Sequence, residues 1–437
     1  MEVSVETTTG LERRMNVRVP EDSFSSKVDE RLRDMVRTAN IPGFRPGKVP
    51  LKVITKRYGK AVRDEVVGEL VQSSFYDAIT KEELRPAGGP VIDPLEAEAG
   101  SGIIYTALFE VYPTFDLASI EGLAITRPIA SVEDSDIDSM IETLRKQRRE
   151  WNEVDRAAAS GDRATIDFAG SIDGEEFDGG KADDFPLELG SGSMIPGFED
   201  GVTGLAANNE KTIDVTFPED YSVEHLAGKT AQFAISVKKV EEPVLPEVDD
   251  EFVKAFGVGE GTVESFKTEV RGNMERELSN RLRTATKEAV MDQLLESNSL
   301  ELPNALVDDE AGRLLGSRTE ELRQQGYEPE SLGLSQEMFE EQARRRVALG
   351  LLLAEIIRTH ELSADPDKVR EVVDSIASTF EQPQQVVSYY YSDRSRLAEI
   401  ESSVLEDQVV DLLLERAQVT EEQRSFDDLM NPGEAPA

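Results

Sequence analysis

The amino-acid sequence predicts a multidomain α+β protein, because the spacing of its apolar residues changes along the 437-residue chain. Residues 1–113 combine strand-like alternation with helical spacing, which is typical of an α/β domain. Residues 150–245 are dense in glycine and aromatic residues, and their short strand patterns between turns predict a β-rich domain. Residues 246–437 have helical spacing almost throughout, which predicts an elongated all-α domain.

The first region, residues 1–113, is bounded by two strand patterns. Their alternating apolar residues are Met15, Val17 and Val19 in the first, and Tyr105, Ala107, Phe109 and Val111 in the second. Apolar residues at helical spacing lie between them, at 24–35 and again at 62–79. Pro113 ends the second strand, since proline cannot donate to a strand ladder.

Residues 114–149 predict a linker with some structure. Ile125 and Pro128 indicate an edge strand, and residues 131–149 are typical of a polar helix with few core positions.

The β-rich region, residues 150–245, contains several short strand patterns. They lie at 165–168, 185–189, 213–217 and 233–237. Asp173-Gly174 is a hairpin turn signal, and Pro243 and Pro246 mark the exit from the region. About 95 residues of this kind are enough for one small domain.

In the helical region, residues 246–437, one helix is predicted from about 262 to 297. At about 1.5 Å per residue it would exceed roughly 50 Å, so we expect an extended arm. Met338, Phe339 and residues 347–357 form the most apolar helix, and Asp365-Pro366 is a helix start with Asp as the cap. The polar tail, 431–437, is predicted to be disordered.

Composition excludes several classes of chemistry. The chain has no cysteine, and its two histidines, His225 and His360, lie far apart in sequence. Disulfides, thiolate metal sites, catalytic triads and multi-histidine metal centres are therefore not expected, and neither is any cofactor. We expect any catalysis to work by binding and desolvation. The N-terminus has no signal-peptide pattern and the most apolar stretch, 347–354, is too short to span a bilayer, which predicts a soluble cytoplasmic protein.

A basic segment, residues 41–63, stands out in a chain of net charge −40. All of its charged residues are positive, and they are Arg45, Lys48, Lys52, Lys56, Arg57, Lys60 and Arg63. Proline and glycine predict a tight loop at 41–50 with Phe44 near its tip. One interpretation is a surface for an acidic partner such as nucleic acid, and the other is a structural turn beside a solvated basic helix. A phosphate-binding P-loop is excluded, because only three residues separate Gly43 from Gly47 and Val49 follows Lys48.

Four segments of the β-rich region resemble the FKBP-type prolyl isomerases in content and in order. They are 167–170 (Asp-Phe-Ala-Gly), 176–180 (Glu-Phe-Asp-Gly-Gly), 187–190 (Leu-Glu-Leu-Gly) and 194–201 (Met-Ile-Pro-Gly-Phe-Glu-Asp-Gly). The similarity covers nearly all of 160–241 and implies an FKBP-like β-rich domain with a short helix.

The resemblance to FKBP-type isomerases implies a shallow apolar pocket for proline. Its walls would be Phe168, Phe177, Phe185, Phe198, Tyr221 and Phe233, with Phe198 at the floor. Met194 and Ile195 would supply a side wall and a backbone N–H for the substrate carbonyl, and Asp178 would lie at the edge. The competing interpretation of any one of these residues is the core of a small β domain. Many family members carry Trp at the floor and Tyr at the first strand, so affinity and selectivity are expected to differ here.

The basic loop resembles the ribosome-docking signature of the trigger factor family, bacterial chaperones at the nascent-chain exit. The signature is carried by Gly43, Phe44, Arg45, Gly47 and Lys48, followed by Pro50, and the docking role falls on Phe44, Arg45 and Lys48. Several members have Lys where this chain has Pro46, so one electrostatic contact to the ribosome is expected to be missing.

The order of regions is also similar to the trigger factor family over essentially the whole chain. The resemblance implies a ribosome-binding domain at 1–113, a linker at 114–149, an FKBP-type isomerase domain at 150–245 and a helical chaperone domain with arms at 246–437. Residues 109–113 (Phe-Glu-Val-Tyr-Pro) are similar to the end of that family's first domain.

The function implied is an ATP-independent, ribosome-associated chaperone that catalyses cis-trans isomerisation of Xaa-Pro bonds. Its implied partners are the large ribosomal subunit near the exit tunnel, through ribosomal protein and rRNA, nascent and unfolded polypeptides, and a second copy in a weak homodimer off the ribosome, with no membrane. Two alternatives stay open. One is a free-standing prolyl isomerase whose flanking domains only recruit clients, and the other is a scaffold with an inactive isomerase fold.

Overall fold

The computed structural model of the chain describes residues 1–437 except 40, 43, 45–47, 97–101, 222, 224, 258–260 and 432–437. For residues 94, 96, 178, 330 and 331 it describes the backbone alone. The chain forms two compact units, Met1–Arg127 with Thr284–Glu422, and Pro128–Arg283 with Gln423–Ala437. Strands and helices occur in both units, which confirms the predicted α+β class.

The first unit begins with an antiparallel sheet and two helices. The elements are β1 (Glu2–Thr7), β2 (Glu12–Val19), α1 (Glu21–Thr38), α2 (Leu51–Lys81), β3 (Val91–Glu96) and β4 (Ile103–Glu110). The strand order is β1-β2-β4-β3, and the alternating residues predicted for β2 and β4 are buried against both helices. Burial raises the pKa of Tyr105, whose hydroxyl lies 2.8 Å from that of Ser74.

The second unit contains the β-rich region. After β5 (Ala124–Ile129), the elements are α3 (Asp134–Gln147), β6 (Glu150–Glu153), β7 (Arg163–Ile172), β8 (Glu175–Glu188), α4 (Phe198–Val202), β9 (Glu210–Thr216), β10 (Thr230–Val244) and α5 (Asp250–Lys254). The sheet order is β6-β10-β7-β8, and β9 also pairs with β10. All four predicted strand patterns lie in or overlap these strands. The predicted hairpin turn joins β7 to β8, with Asp173 and Gly174 both at positive φ.

The ends of the β-rich region are neighbours in its sheet. Glu150 on β6 pairs with Val244 on β10, and Trp151 pairs with Pro243. The apolar cluster inside this sheet draws its buried members only from residues between 158 and 240. Residues 150–244 therefore have their own core and enter and leave at adjacent points.

The remaining described elements are mostly helices. They are α6 (Val263–Ser297), α7 (Asn304–Gln324), α8 (Glu340–Thr359), α9 (Pro366–Ala377), α10 (Pro383–Tyr391), α11 (Arg394–Arg416), β11 (Gln418–Gln423) and α12 (Phe426–Met430). The Asp365 carboxylate caps α9 by accepting the Asp367 N–H at 2.9 Å, as predicted. Among the described residues, no helix combines the length and the apolar character that crossing a membrane requires.

Helix α6 has the predicted length, but its apolar stripe is buried. Phe266, Val270 and Met274 lie in a core cluster of the second unit, and Val290 and Leu294 lie in one of the first unit. The stripe therefore contributes to core packing in both units. The most apolar helix, α8, contributes buried side chains to the same core cluster of the first unit as Val290 and Leu294, as its composition indicates.

One part of the chain differs from the sequence-based expectation. Residues 418–423 form β11, a strand that pairs with β5 inside a region predicted to be all-α. All six of its residues are exposed, so no apolar alternation indicates it in the sequence. Helix α3 lies where a polar helix with few core positions was predicted, and it buries Ile137 and Ile141 in the second unit's core. The tail, predicted to be disordered, lies outside the described residues from 432 onward.

The start of α7 is tied to the end of β4 by one carboxylate. Glu110 accepts hydrogen bonds from the Ala305 N–H at 2.8 Å and the Asn304 side-chain amide at 3.0 Å. Since the first N–H groups of a helix lack partners within the helix, Glu110 both caps α7 and fixes it to the N-terminal sheet.

Removal of residues 150–244, with a short Gly-Ser linker closing the gap, is expected to leave the rest of the chain folded. The removed segment has a separate core and its two ends are adjacent in the sheet. The shortened chain should therefore keep its helical circular dichroism and a cooperative thermal melt. The excised segment should fold alone, reported by Trp151 fluorescence. Loss of the cooperative melt in the shortened chain would show that the two parts are not independent.

Candidate functional site

Seven aromatic side chains of the β-rich region meet in one cluster. They are Phe168, Phe177, Phe185, Phe198, Phe217, Tyr221 and Phe233. At its centre, the rings of Phe198 and Phe233 lie 5.1 Å apart and nearly perpendicular, and the Phe168 ring lies 5.5 Å from Phe198. Edge-to-face packing of this kind is the preferred arrangement of aromatic rings. All six aromatic residues predicted for the pocket are thus brought together.

The sheet register and one glycine make room for the aromatic cluster. Gly170 on β7 lies directly opposite Phe233 on β10. A Cβ at Gly170 would lie 2.5 Å from Cε1 of Phe233 and 2.9 Å from Cζ of Phe177. Any side chain at this position would therefore push the two rings apart.

Burial falls off from the base of the aromatic cluster to its rim. Phe198 is completely buried, and Phe168 and Phe233 are nearly so. The rings of Phe177, Phe185 and Tyr221 are half-buried. The cluster therefore has a closed apolar base and a partly open rim, which is the shape that a small apolar ring can enter.

Met194 and Ile195 lie beside the aromatic cluster, half-buried and packed against the same core. The Phe198 N–H donates to the Ile195 carbonyl at 3.1 Å, which holds the segment at the start of α4. Within the described part of the chain, the Ile195 N–H has no acceptor, so it is free to donate to a ligand. The side chain of Asp178, predicted at the pocket edge, lies outside the described residues.

Sequence reasoning missed two residues of this site. Phe217 is buried, and its ring contacts those of Phe177 and Tyr221, with centroids 5.8 and 4.8 Å away. Its place at the end of a predicted strand is equally typical of ordinary core. Glu199 accepts hydrogen bonds from the loop that precedes Met194. Its position directly after Phe198, within the segment that resembles the isomerases, was the available signal.

The basic loop is a second candidate site. Ile41 and Val49, at its two ends, are buried in the core of the N-terminal sheet and helices. Phe44 between them is 39% exposed, and its N–H donates to the Ile41 carbonyl at 3.1 Å. Lys48 is exposed. Gly43, Arg45 and Gly47, the other predicted docking residues, lie outside the described residues.

The first turns of α2 continue the basic surface of the loop. Lys52, Lys56, Arg57 and Lys60 are all exposed. Arg63 is half-buried, because its guanidinium lies over the Phe24 ring at 4.7 Å from the ring centre. The structure therefore divides the described basic residues into two kinds. Those at 48–60 form an exposed face, and Arg63 packs against the core.

Metal chemistry is not indicated in the parts of the chain that the structure describes, where no three His, Asp or Glu side chains converge as ligands.

The module that carries the aromatic cluster belongs to a known class of enzyme domain. Residues 154–238 match the family described as FKBP-type peptidyl-prolyl cis-trans isomerase. The chain therefore carries an isomerase domain of this type, which acts on Xaa-Pro peptide bonds.

The regions on either side match a second family. Residues 1–144 match the family described as bacterial trigger factor protein, and residues 262–415 match its C-terminus. A protein named "Trigger factor" from Thioalkalivibrio sulfidiphilus is 48% identical over 432 residues, covering 99% of this chain and 98% of the relative. Another from Idiomarina loihiensis is 48% identical over 433 residues, covering 99% of each. The chain belongs to the trigger factor family.

Family membership decides between the functions that the sequence left open. The chain is a trigger factor chaperone with an FKBP-type isomerase domain, and the family implies ribosomes and nascent chains as partners. These matches do not support the two alternatives, which were a free-standing isomerase whose flanking domains only recruit clients and a scaffold with an inactive isomerase fold.

Tyr221→Ala, at the rim of the aromatic cluster, is expected to lower kcat/KM for an Xaa-Pro peptide at least tenfold, about 1.4 kcal/mol. Phe198→Ala should lower it as much, with an added loss of about 3–5 kcal/mol in unfolding free energy because the ring is fully buried. His225→Ala, which changes an exposed side chain four positions from Tyr221, is the control and should have a smaller effect. Steep rate changes between about pH 6 and 8 that disappear in His225→Ala would contradict a mechanism without proton transfer.

Proposed function

We propose that the aromatic cluster is the substrate site of the isomerase domain. The proline ring enters at the half-buried rim, between Phe177, Phe185 and Tyr221, and reaches toward Phe198. The free Ile195 N–H donates to a substrate carbonyl, and Met194 forms a side wall. The observation that carries this proposal is the closed base and open rim of a cluster made almost wholly of aromatic rings.

The proposed mechanism needs no nucleophile, metal or histidine. The barrier to rotation about a peptide bond is about 18–20 kcal/mol, because amide resonance resists twisting. Resonance also separates charge, so the planar amide is more polar than the twisted one. An apolar, water-poor site favours the twisted form, and a substrate held there rotates faster than in water. Uncatalysed Xaa-Pro isomerisation takes tens of seconds or longer, which can limit folding.

We propose that the basic loop and the exposed face of α2 dock on the large ribosomal subunit near the exit tunnel, against ribosomal protein and rRNA. Phe44 is exposed although apolar, which is costly in water unless a partner covers it. Ile41 and Val49, on either side of Phe44, are buried in the core of the N-terminal sheet and helices. The exposed cations at 48–60 suit an acidic protein surface or phosphate.

We infer that nascent and unfolded chains bind to apolar side chains that the helical region leaves exposed. One group follows α7 and consists of Tyr327, Leu332 and Met338, and another adjoins α10 and consists of Phe380, Tyr389 and Tyr391. A group of exposed large apolar side chains is costly in water unless a partner covers it, which supports a binding role. Tyr389 is also stacked on Arg396, with the guanidinium 3.8 Å from the ring centre, which presents the aromatic edge in a fixed position.

The proposed setting follows from these partners. A ribosome-bound protein would act in the bacterial cytoplasm, on the nascent chain as it emerges from the ribosome. Off the ribosome, the basic face at 48–60 is available to the acidic surface of a second copy, which supports a weak homodimer.

The triple variant with Phe44, Arg45 and Lys48 replaced by Ala is expected to lose ribosome binding while staying folded, because it removes the apolar tip and two adjacent cations. Co-sedimentation with ribosomes measures this, and binding of the unmodified chain should weaken as salt rises. Lys229→Ala, which removes an exposed cation from the isomerase domain, is the matched control. Co-sedimentation of the triple variant at the level of the control would refute the docking proposal.

Deletion of residues 150–244 is expected to abolish isomerisation but leave ribosome docking and much of the aggregation suppression intact, because both groups of exposed apolar side chains proposed to bind clients lie in the helical region. The measurement is light scattering of a diluted unfolded protein without ATP, with the full chain, the deletion and residues 246–437 compared at equal concentration. If only chains that retain 150–244 suppress scattering, client binding belongs to the isomerase domain instead.

A further inference from the structure

A single carboxylate organises the loop at 190–194, which leads into the proposed substrate site. One oxygen of Glu199 accepts the Gly190 N–H at 2.7 Å and the Gly192 N–H at 3.2 Å, and the other accepts the Met194 N–H at 3.3 Å. The Ser193 hydroxyl also donates to Glu199 at 3.5 Å, whereas the Ser191 hydroxyl lies 3.2 Å from Glu199 but only 2.8 Å from the Glu188 carbonyl oxygen.

The loop depends on this carboxylate because its own backbone offers few other acceptors for these N–H groups. Gly190 and Gly192 have φ of +90° and +68°, and the alternate N–H groups of Gly190, Gly192 and Met194 converge on the one carboxylate. Among the described residues, the N–H groups of Gly190, Gly192 and Met194 have no other acceptor. An ionised carboxylate accepts several hydrogen bonds and donates none, whereas a glutamine amide would turn a donor toward these N–H groups.

The backbone of Glu199 is also fixed next to the aromatic cluster. Glu199 lies on α4 directly after Phe198, the fully buried base of the aromatic cluster. Met194 and Ile195, at the end of the loop, pack against the same core. Glu199 therefore joins the rigid base of the site to the loop that forms its side.

Glu199 is ionised at neutral pH. Burial raises the pKa of Glu199, but the N–H groups of Gly192, Gly190 and Met194 together outweigh burial and hold its pKa below the ordinary value. The carboxylate form is thus present above the ordinary glutamate pKa and is lost only as the pH falls through the lowered value.

We propose that Glu199 is a positioning residue for isomerisation, which holds the 190–194 loop so that the Met194 side chain and the Ile195 N–H face the proline substrate. The inference rests on the proposed substrate site. It assigns Glu199 no contact with the substrate and no proton transfer.

The test compares Glu199→Gln with the unmodified full-length chain. We expect kcat/KM for a proline-containing tetrapeptide to fall about tenfold, mainly through a higher KM, since the apolar base that favours the twisted amide is unchanged. Amide hydrogen exchange at Gly190, Gly192 and Met194 should speed up, while the melting temperature of the domain stays within a few degrees. Asp200→Asn, an exposed carboxylate on the same helix, is the matched control and should behave as the unmodified chain.

The outcomes distinguish failure of the positioning role from failure of the proposed substrate site. If Tyr221→Ala lowers activity but Glu199→Gln stays within about twofold of the unmodified chain, the positioning role is wrong and the site stands. If Tyr221→Ala is fully active, the site itself is wrong. If Glu199→Gln fails to fold, Glu199→Asp is measured instead, because it keeps the charge but is one methylene shorter. An intermediate loss of activity through a higher KM would support the positioning role. Unchanged kinetics would refute it.

Discussion

The packing of Phe233 against Phe168 and Phe198 is the interaction on which the isomerase domain depends. Phe233 lies on β10, the strand that pairs with β6, β7 and β9, so its ring sits on the element that unites the sheet. Truncating a buried phenylalanine costs about 3–5 kcal/mol, a large share of a small domain's stability. The rings that form the core are therefore also the base of the proposed substrate site, and Gly170 is required because it leaves them room.

The same sheet explains how this domain is accommodated in a larger chain. Its first and last strands are paired at Glu150 and Val244, so the chain enters and leaves at one edge. The Trp151 ring at this edge contacts two guanidiniums, with Arg149 4.6 Å and Arg163 4.7 Å from its centre. Arg163 also pairs with the buried Glu241 at 2.8 Å, which anchors the stack in the sheet. Local cation–π and ionic contacts thus close the domain where it meets the rest of the chain.

A strongly acidic protein can still present a basic surface to the proposed docking partner, because charge acts locally in salt. The Debye length is about 8 Å at physiological ionic strength, so most of the net charge of −40 is screened from a partner at the loop. Burial of Ile41 and Val49 keeps Phe44 and Lys48 in place at the surface. The acidic remainder limits binding elsewhere on the chain and favours solubility.

The sequence by itself determined the three kinds of region, the long helices, six members of the aromatic cluster and the isolated basic segment. These follow from apolar spacing, composition and short motifs, which are local properties of the chain. Only the tertiary structure decided that Phe217 joins the aromatic cluster, that Glu199 gathers the loop at 190–194, that the stripe of α6 is buried, and that exposed residues 418–423 pair with β5. Each of these depends on contacts with residues that the chain's local pattern does not specify, and it is folding that brings the partners together.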